Sequence, residues 1–193
     1  MLKTSMLGWI SRFARDRRGV SAVEFAFVAP VMIGLYLGCV EVSDGVAVDR
    51  KVSLTAGALA NLTAQVNPAT ISTADMTNIL NASSAIIAPY SAGNLKMTVS
   101  CLSIDASKNV TVKWSVTKNG TKRTTFAFDS SNSALTVAST YPIYLIYSEV
   151  SYAYTPIVGY TITGTLTLSD HMFMSPRITA PTYNDGTDHK CNS

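Results

Sequence analysis

The chain has 193 residues, of which 14% are charged, and a formal net charge of +3. That length suits one domain plus a membrane anchor and is enough for one hydrophobic core. Five of the 15 basic residues lie before residue 20, where there is one acid, and the rest of the chain has ten basic and eleven acidic residues. Because this larger part is nearly neutral, we expect no nucleic-acid partner, which would require a basic surface.

Residues 1–19 are predicted to be a basic leader. Arg17 and Arg18 stand directly before Gly19, and apolar residues are spaced among the basic ones. This pattern is typical of a short amphipathic helix on the inner membrane surface. The alternative is a disordered leader that is removed by cleavage.

Residues 20–40 form an apolar run that contains one charged residue, Glu24. Roughly 20 apolar residues in a helix cross a hydrocarbon core, so this run is predicted to span a membrane. The basic residues before it place the N-terminus in the cytoplasm and the chain from residue 41 outside it. The run is longer than the apolar region of a signal peptide, and Tyr36 fits poorly in a lipoprotein processing box ending at Cys39.

Glu24 is the candidate functional residue of this run. A carboxylate inside a spanning helix costs about 2.5–3.5 kcal/mol on insertion scales, so its presence indicates a function. The alternative is that Glu24 lies at the level of the cytoplasmic headgroups and reaches water.

The residues around Gly19 resemble a prepilin processing site, in which a peptidase cuts between Gly19 and Val20. Glu24 is then the fifth residue of the mature chain, and Phe25 is the aromatic residue beside it. The basic leader, Gly19, the Glu24-Phe25 pair and the apolar helix resemble the TadE-like family of tight-adherence (type IVc) pilus assembly proteins. The resemblance extends from about residue 17 to residue 61.

The resemblance implies a minor pilin-like subunit (pseudopilin), not an enzyme and without a cofactor, that assists pilus assembly. The implied partners are the prepilin peptidase, the major pilin, a sister minor pilin-like protein, the inner-membrane assembly platform and the membrane itself. The implied location is the inner membrane, with one span, a cytoplasmic N-terminus and a periplasmic domain, or the pilus at the cell surface. The alternative is a membrane-anchored extracytoplasmic domain, unrelated to pili, that binds a ligand or acts as an enzyme.

The helix is predicted to continue outside the membrane through residues 41–66, followed by an extracytoplasmic domain at 67–193. Apolar residues at helical spacing form one stripe after Glu41, and Asn67-Pro68 ends the pattern. Pro30 and nearby glycines are predicted kink positions. The whole helix would be about 70 Å long at 1.5 Å per residue.

The domain is predicted to be α+β, with a short helix and a four- to five-stranded antiparallel sheet behind the long pilin-like helix. Ser72 and Asp75 form a variant capping box that starts a helix extending to about Ala88. Alternating residues then predict strands. The strand segments begin at Leu95 and Val110, return after an Asn119-Gly120 hairpin through Lys122 to Phe128, and continue at Tyr144–Tyr154 and Tyr160–Leu168.

The three cysteines are predicted to differ in role. Cys101 and Cys191 fall in the exported part, where disulfides persist, and a bond between them would attach the tail to the sheet. Cys39 is interpreted as a small apolar residue of the spanning helix.

Catalytic and metal-binding patterns are weak, and neither kind of site is expected. Ser169-Asp170-His171 has the residue types of a triad, but consecutive residues do not supply its geometry by themselves. Asp185, Asp188, His189 and Cys191 match no standard metal-site spacing. Six tyrosines between residues 141 and 160 indicate packing in strands, with a binding surface as the alternative.

Overall fold

The computed structural model describes residues 19–66, 70–127, 141–156 and 164–191. The leader arginines Arg17 and Arg18, the predicted helix end at Asn67-Pro68, Phe128 and Tyr160 therefore lie outside the described residues.

One helix, α1, extends from Val20 to Ala64. It continues through Pro30 without interruption of the helix. Between Val20 and Val40 its side chains are exposed or half-buried, and from Glu41 onward one stripe is buried. The apolar stripe predicted after Glu41 is thus confirmed as the face that packs on the domain.

A second helix, α2, comprises Thr73–Ser84. Its capping box is present as predicted: the Ser72 hydroxyl accepts from the Asp75 backbone N–H, and the Asp75 carboxylate accepts from the Ser72 backbone N–H. The helix ends before the predicted Ala88 because the chain tightens into a 3-10 turn at Ala85–Ile87. There the carbonyls of Ile86 and Ala88 accept hydrogen bonds from the Lys51 ammonium of α1, which fixes this turn against the long helix.

The main sheet has four antiparallel strands, which confirms the predicted α+β fold class. The strands are β2 (Leu95–Ile104), β3 (Val110–Lys118), β4 (Ile143–Tyr154) and β5 (Leu166–Met174), in the order β3-β2-β4-β5. The inner face of the sheet packs against the second half of α1 to form the core. Tyr147, Tyr152 and Tyr154 are buried, in agreement with the interpretation of the tyrosines as packing residues.

A small second sheet attaches the tail to the start of α2. It contains β1 (Thr70–Ser72), β6 (Thr182–Asn184) and β7 (Asp188–His189), with β6 in the middle. Cys191 follows β7 and is joined to Cys101 of β2 by the predicted disulfide. The Trp114 indole N–H donates to the Pro181 carbonyl at 3.0 Å, so the tail lies across the inner face of the sheet.

The predicted hairpin at Asn119-Gly120 is wrong. Asn119 does adopt a left-handed conformation, with φ of 58°, but residues 121–127 form no strand. Instead they cross the outer face of the sheet, where Phe126 packs edge-on against Tyr147, with ring centroids 4.8 Å apart. Leu102, Ile104 and Leu145 make this face apolar, and covering them outweighs pairing with the edge strand.

The prediction of a strand at Tyr160–Leu168 is only partly right. Strand β5 begins at Leu166 and continues to Met174, through the polar sequence Ser169-Asp170-His171. These residues pair with Ser151, Val150 and Glu149 of β4. Polar residues are tolerated here because β5 is an edge strand with an exposed outer face.

We expect Ser148→Ala to lower the free energy of unfolding by about 1 kcal/mol, the usual net value of one hydrogen bond. The Ser148 hydroxyl is fully buried and donates to the Ala56 carbonyl at 2.7 Å. This hydrogen bond fixes the position of α1 along β4. Urea unfolding of the chain in detergent micelles would measure the loss. Ser107→Ala, in the exposed turn between β2 and β3, is the matched control; equal stability of the two variants would contradict the assignment.

Candidate functional site

The candidate site begins at the exposed N-terminus of α1. Gly19 is the N-cap residue and Val20 is the first helical residue. No side chain caps this end, and a Cβ at Gly19 would have no atom within 4 Å. Among the residues from 19 onward that the structure describes, none therefore packs against Gly19 at the start of the helix.

The first half of α1 presents a large apolar surface. Phe25 is 72% exposed and Phe27 is 76% exposed, and valine, isoleucine, leucine and methionine side chains continue the surface toward Val40. Soluble proteins rarely expose so much contiguous apolar surface, which instead marks a membrane or an interaction surface. Among the described residues, α1 is the one helix long and apolar enough to cross a membrane, which is compatible with single-pass anchoring.

Glu24 is the one charged residue on this surface. It is exposed and lies four residues after Val20, about 6 Å further along the axis and on the same side of the helix. Phe25 is adjacent. A carboxylate in this position is available to a positive charge at the N-terminus of its own helix or of a neighbouring one.

Small residues form a groove along the same half of the helix. Pro30, Gly34 and Gly38 recur every four residues, and Leu35 and Val42 contribute to the walls of a space of about 740 Å³. Small residues at this spacing allow a second helix to approach closely in a membrane. The groove is thus compatible with helix packing in lipid.

Two tyrosines mark the point where α1 leaves the domain. Tyr154 lies against the helix, since a Cβ at Gly45 would be 3.8 Å from its ring. Burial, and secondarily the nearby Asp44 carboxylate, raises the pKa of both Tyr154 and Tyr90 above its ordinary value. Both phenols therefore stay neutral, and this end of the domain presents neutral, polar groups beside the apolar helix.

Residues 19–58 match the family model of TadE-like proteins. This segment is TadE-like. The match begins at the N-cap residue of α1 and includes the exposed apolar half, Glu24 and Phe25, together with most of the half that packs on the sheet. The resemblance predicted from Gly19, Glu24 and Phe25 is confirmed over these residues, and it supports involvement in tight-adherence pilus assembly. No curated protein and no solved structure matches the chain.

The structure does not assemble Ser169, Asp170 and His171 into a catalytic triad. Asp170 lies between Ser169 and His171 on one strand, so its side chain points away from theirs. The Asp170 carboxylate accepts a hydrogen bond from the His171 backbone N–H, while the imidazole packs against the rings of Tyr147 and Phe173.

The suggested metal ligands near the C-terminus are also engaged otherwise. Cys191 is in the disulfide, and the His189 ring lies 3.0 Å from the Asp185 carboxylate. Within the described ranges, no group of three or more His, Cys, Asp or Glu residues is arranged to hold a metal ion.

Proposed function

We propose that this protein is a minor pilin-like (pseudopilin) subunit that assists assembly of a tight-adherence (type IVc) pilus. The observation that supports this best is the start of the TadE-like segment. The family match begins at Gly19, the helix begins at Val20, and the lone charge of the exposed half is the fifth residue from that point. A plain membrane anchor needs neither a glycine nor a glutamate at these positions.

In this proposal the prepilin peptidase cuts the Gly19–Val20 bond and removes the leader, residues 1–19, with its arginines Arg17 and Arg18. Residues 20–40 cross the inner membrane, residues 41–66 continue the helix, and residues 67–193 form a periplasmic domain. The excess of basic residues before the span supports a cytoplasmic N-terminus.

The exposed half of α1 is the proposed assembly surface. Its apolar side chains are solvated by lipid before assembly and contact other helices afterwards, which agrees with their exposure among the described residues. The proposed partners are the major pilin, a sister minor pilin-like protein and the inner-membrane assembly platform. Glu24 and Phe25 are the proposed recognition residues.

The first test is the mature N-terminus. Intact-mass analysis of the protein from its native host should give a chain that starts at Val20. A mature chain that starts at Met1, or at Cys39 with lipid attached, would contradict the proposal.

A pair of variants separates recognition from folding. Gly19→Leu should block processing, because the peptidase must accommodate the residue before the cut bond. No atom lies near a Cβ at Gly19, so the helix itself should tolerate the change. Ala26→Leu adds similar bulk to the same exposed surface seven residues later and should be processed normally. Equal processing of the two variants would remove Gly19 from the site.

A further inference from the structure

The outer face of the main sheet contains a polar cleft, separate from the proposed assembly surface on α1. One wall is formed by residues 120–125, which cross this face, and the floor is formed by β2, β4 and β5. The cleft encloses about 500 Å³, within the range of roughly 300–1,000 Å³ that is typical of small-molecule sites. Six of its lining residues carry a hydroxyl group: Thr98, Thr121, Thr124, Thr125, Ser151 and Ser169.

The crossing wall is held in place by Arg123. Its guanidinium forms a two-pronged ion pair with the Glu149 carboxylate, with Nε 2.7 Å from Oε2 and Nη2 on Oε1. The same guanidinium lies 5.3 Å from the ring centroids of both Phe126 and Tyr147. The Arg123 backbone N–H also donates to the Ser115 hydroxyl at 2.9 Å. A ligand therefore meets a preformed wall and loses little affinity to ordering it.

The charges of this wall are compensated. Hydrogen bonding to Glu149 raises the pKa of Arg123, so the guanidinium stays charged. Burial raises the pKa of Tyr147 to about 12, which keeps its phenol neutral at the floor of the cleft. The Asp170 side chain lies on the opposite face of β5 from Ser169 and His171, and its carboxylate accepts the backbone N–H of His171 at 2.7 Å.

Two lysines of the cleft are not compensated. Lys96 and Lys122 are exposed at its edge, and neither forms an ion pair or a hydrogen bond with a described residue. Other lysines of the domain differ: Lys51 donates to two carbonyls, and Lys118 donates to Asn81 and Ser84. These two lysines, which have no partner among the residues that the structure describes, favour an anionic group in the ligand.

We propose that this cleft binds an acidic saccharide of two or three sugar units. Its carboxylate would lie between Lys96 and Lys122, and its hydroxyls would exchange hydrogen bonds with the threonines and serines, which act as both donors and acceptors. An apolar ligand would leave these polar groups without partners, at a cost in affinity. A short acidic peptide could satisfy the lysines but has few hydroxyl groups for the rest of the lining.

The test uses the full chain in detergent micelles and calorimetric titration with three probes: a trimer of galacturonic acid, the neutral trisaccharide maltotriose, and triglutamate. We expect the acidic trisaccharide to bind, with an affinity that falls as salt increases. The neutral saccharide and the peptide should each bind at least about tenfold more weakly, because each lacks one of the two kinds of contact.

Variants locate the site. Lys96→Gln combined with Lys122→Gln should weaken binding of the acidic trisaccharide at least about tenfold, as expected for lost charge-assisted hydrogen bonds. Ser151→Ala combined with Ser169→Ala, which removes two hydroxyls paired across β4 and β5, should weaken it several-fold. Lys108→Gln, in the turn between β2 and β3, removes the same charge away from the cleft and should have no effect.

Three results would overturn the proposal. One is the absence of saccharide binding, and another is equal binding of the neutral trisaccharide. The third is binding of triglutamate as tight as that of the acidic saccharide, which would make the cleft a peptide site. Each of these outcomes is independent of the Val20 N-terminus that tests pilin-like processing.

Discussion

The double variant Cys101→Ala/Cys191→Ala should lose about 4–5 kcal/mol of folding free energy. The bond closes a loop with a sequence separation of 90 residues, and cross-links of that span restrict the unfolded chain by about this amount in the chain-entropy model. Both cysteines are fully buried, so their side chains also contribute to packing between β2 and the tail. Domains of this size often have a free energy of unfolding of only about 5–15 kcal/mol, so the disulfide contributes a large part of it.

The loss of stability should be uneven along the chain. Without the bond, the tail is held by β6 and β7, which are three and two residues long, and by the Trp114 hydrogen bond to Pro181. Hydrogen exchange should therefore accelerate first in these strands and in β1, and less at the contact between α1 and β4.

Urea unfolding in micelles and hydrogen exchange by mass spectrometry would measure both effects. Cys39→Ala is the matched control, since Cys39 is a free, exposed cysteine on the apolar half of α1. The variant should unfold like the wild type. If the double variant also unfolds like the wild type, the tail is held by its strands and not by the disulfide.

The elements that the sequence predicted well are those whose local pattern agrees with their tertiary packing. The stripe after Glu41 has helical period and packs on the sheet, and Ser72 and Asp75 cap α2 within four residues of chain. The alternation in β2 likewise agrees with packing, because Met97, Val99 and Cys101 belong to the main core. In each case the information lies within one short segment.

The errors occur where distant segments decide the structure. Asn119-Gly120 has a hairpin sequence, but the apolar outer face formed by Leu102 and Leu145 attracts Phe126 across the sheet. The polar residues of β5 form a strand because the edge of β4 is available to pair with them. A period of two cannot identify either partner, because each partner lies in a different segment of the chain.

The two candidate sites also differ in whether their residues come from one short segment or from distant segments. Gly19, Glu24 and Phe25 lie within seven residues, so a sequence pattern is sufficient to find them. The cleft joins Lys96, Arg123, Glu149 and Ser169 from separate segments. Nothing in the sequence distinguishes Lys96 and Lys122 from ordinary solvated lysines, and only the crossing of residues 120–125 brings them to one cleft.

We expect Glu24→Gln to abolish association with the other pilin-like subunits while leaving membrane insertion and processing nearly normal. In the proposed mature chain Val20 carries an α-amine, and an amine and a carboxylate attract far more strongly in a low dielectric than in water. Removing one partner of such a buried pair costs about 3–5 kcal/mol because the other charge remains uncompensated. That corresponds to a loss of association of at least about a hundredfold.

Pairing between neighbouring chains explains why the charge matters for assembly more than for folding. Glu24 is exposed in the single chain and its side chain supports no contact of the domain, so Gln should not alter the fold. Between two parallel helices, a bond from Glu24 to the neighbouring Val20 amine compensates both charges at one contact. It also fixes the axial offset of the helices, which apolar contacts alone leave free to slide.

The measurement is copurification with the major and sister pilins from the native host, together with a pilus-dependent adhesion assay. Asp49→Asn is the matched control, since it removes an exposed acid from the same helix outside residues 20–40 and should assemble normally. Glu24→Ala should behave like Glu24→Gln or worse. If Glu24→Gln assembles and adheres like the wild type, the carboxylate lies at the headgroup level, where water compensates its charge. The axial offset of the helices is then fixed by other contacts, such as those at the groove near Gly34 and Gly38.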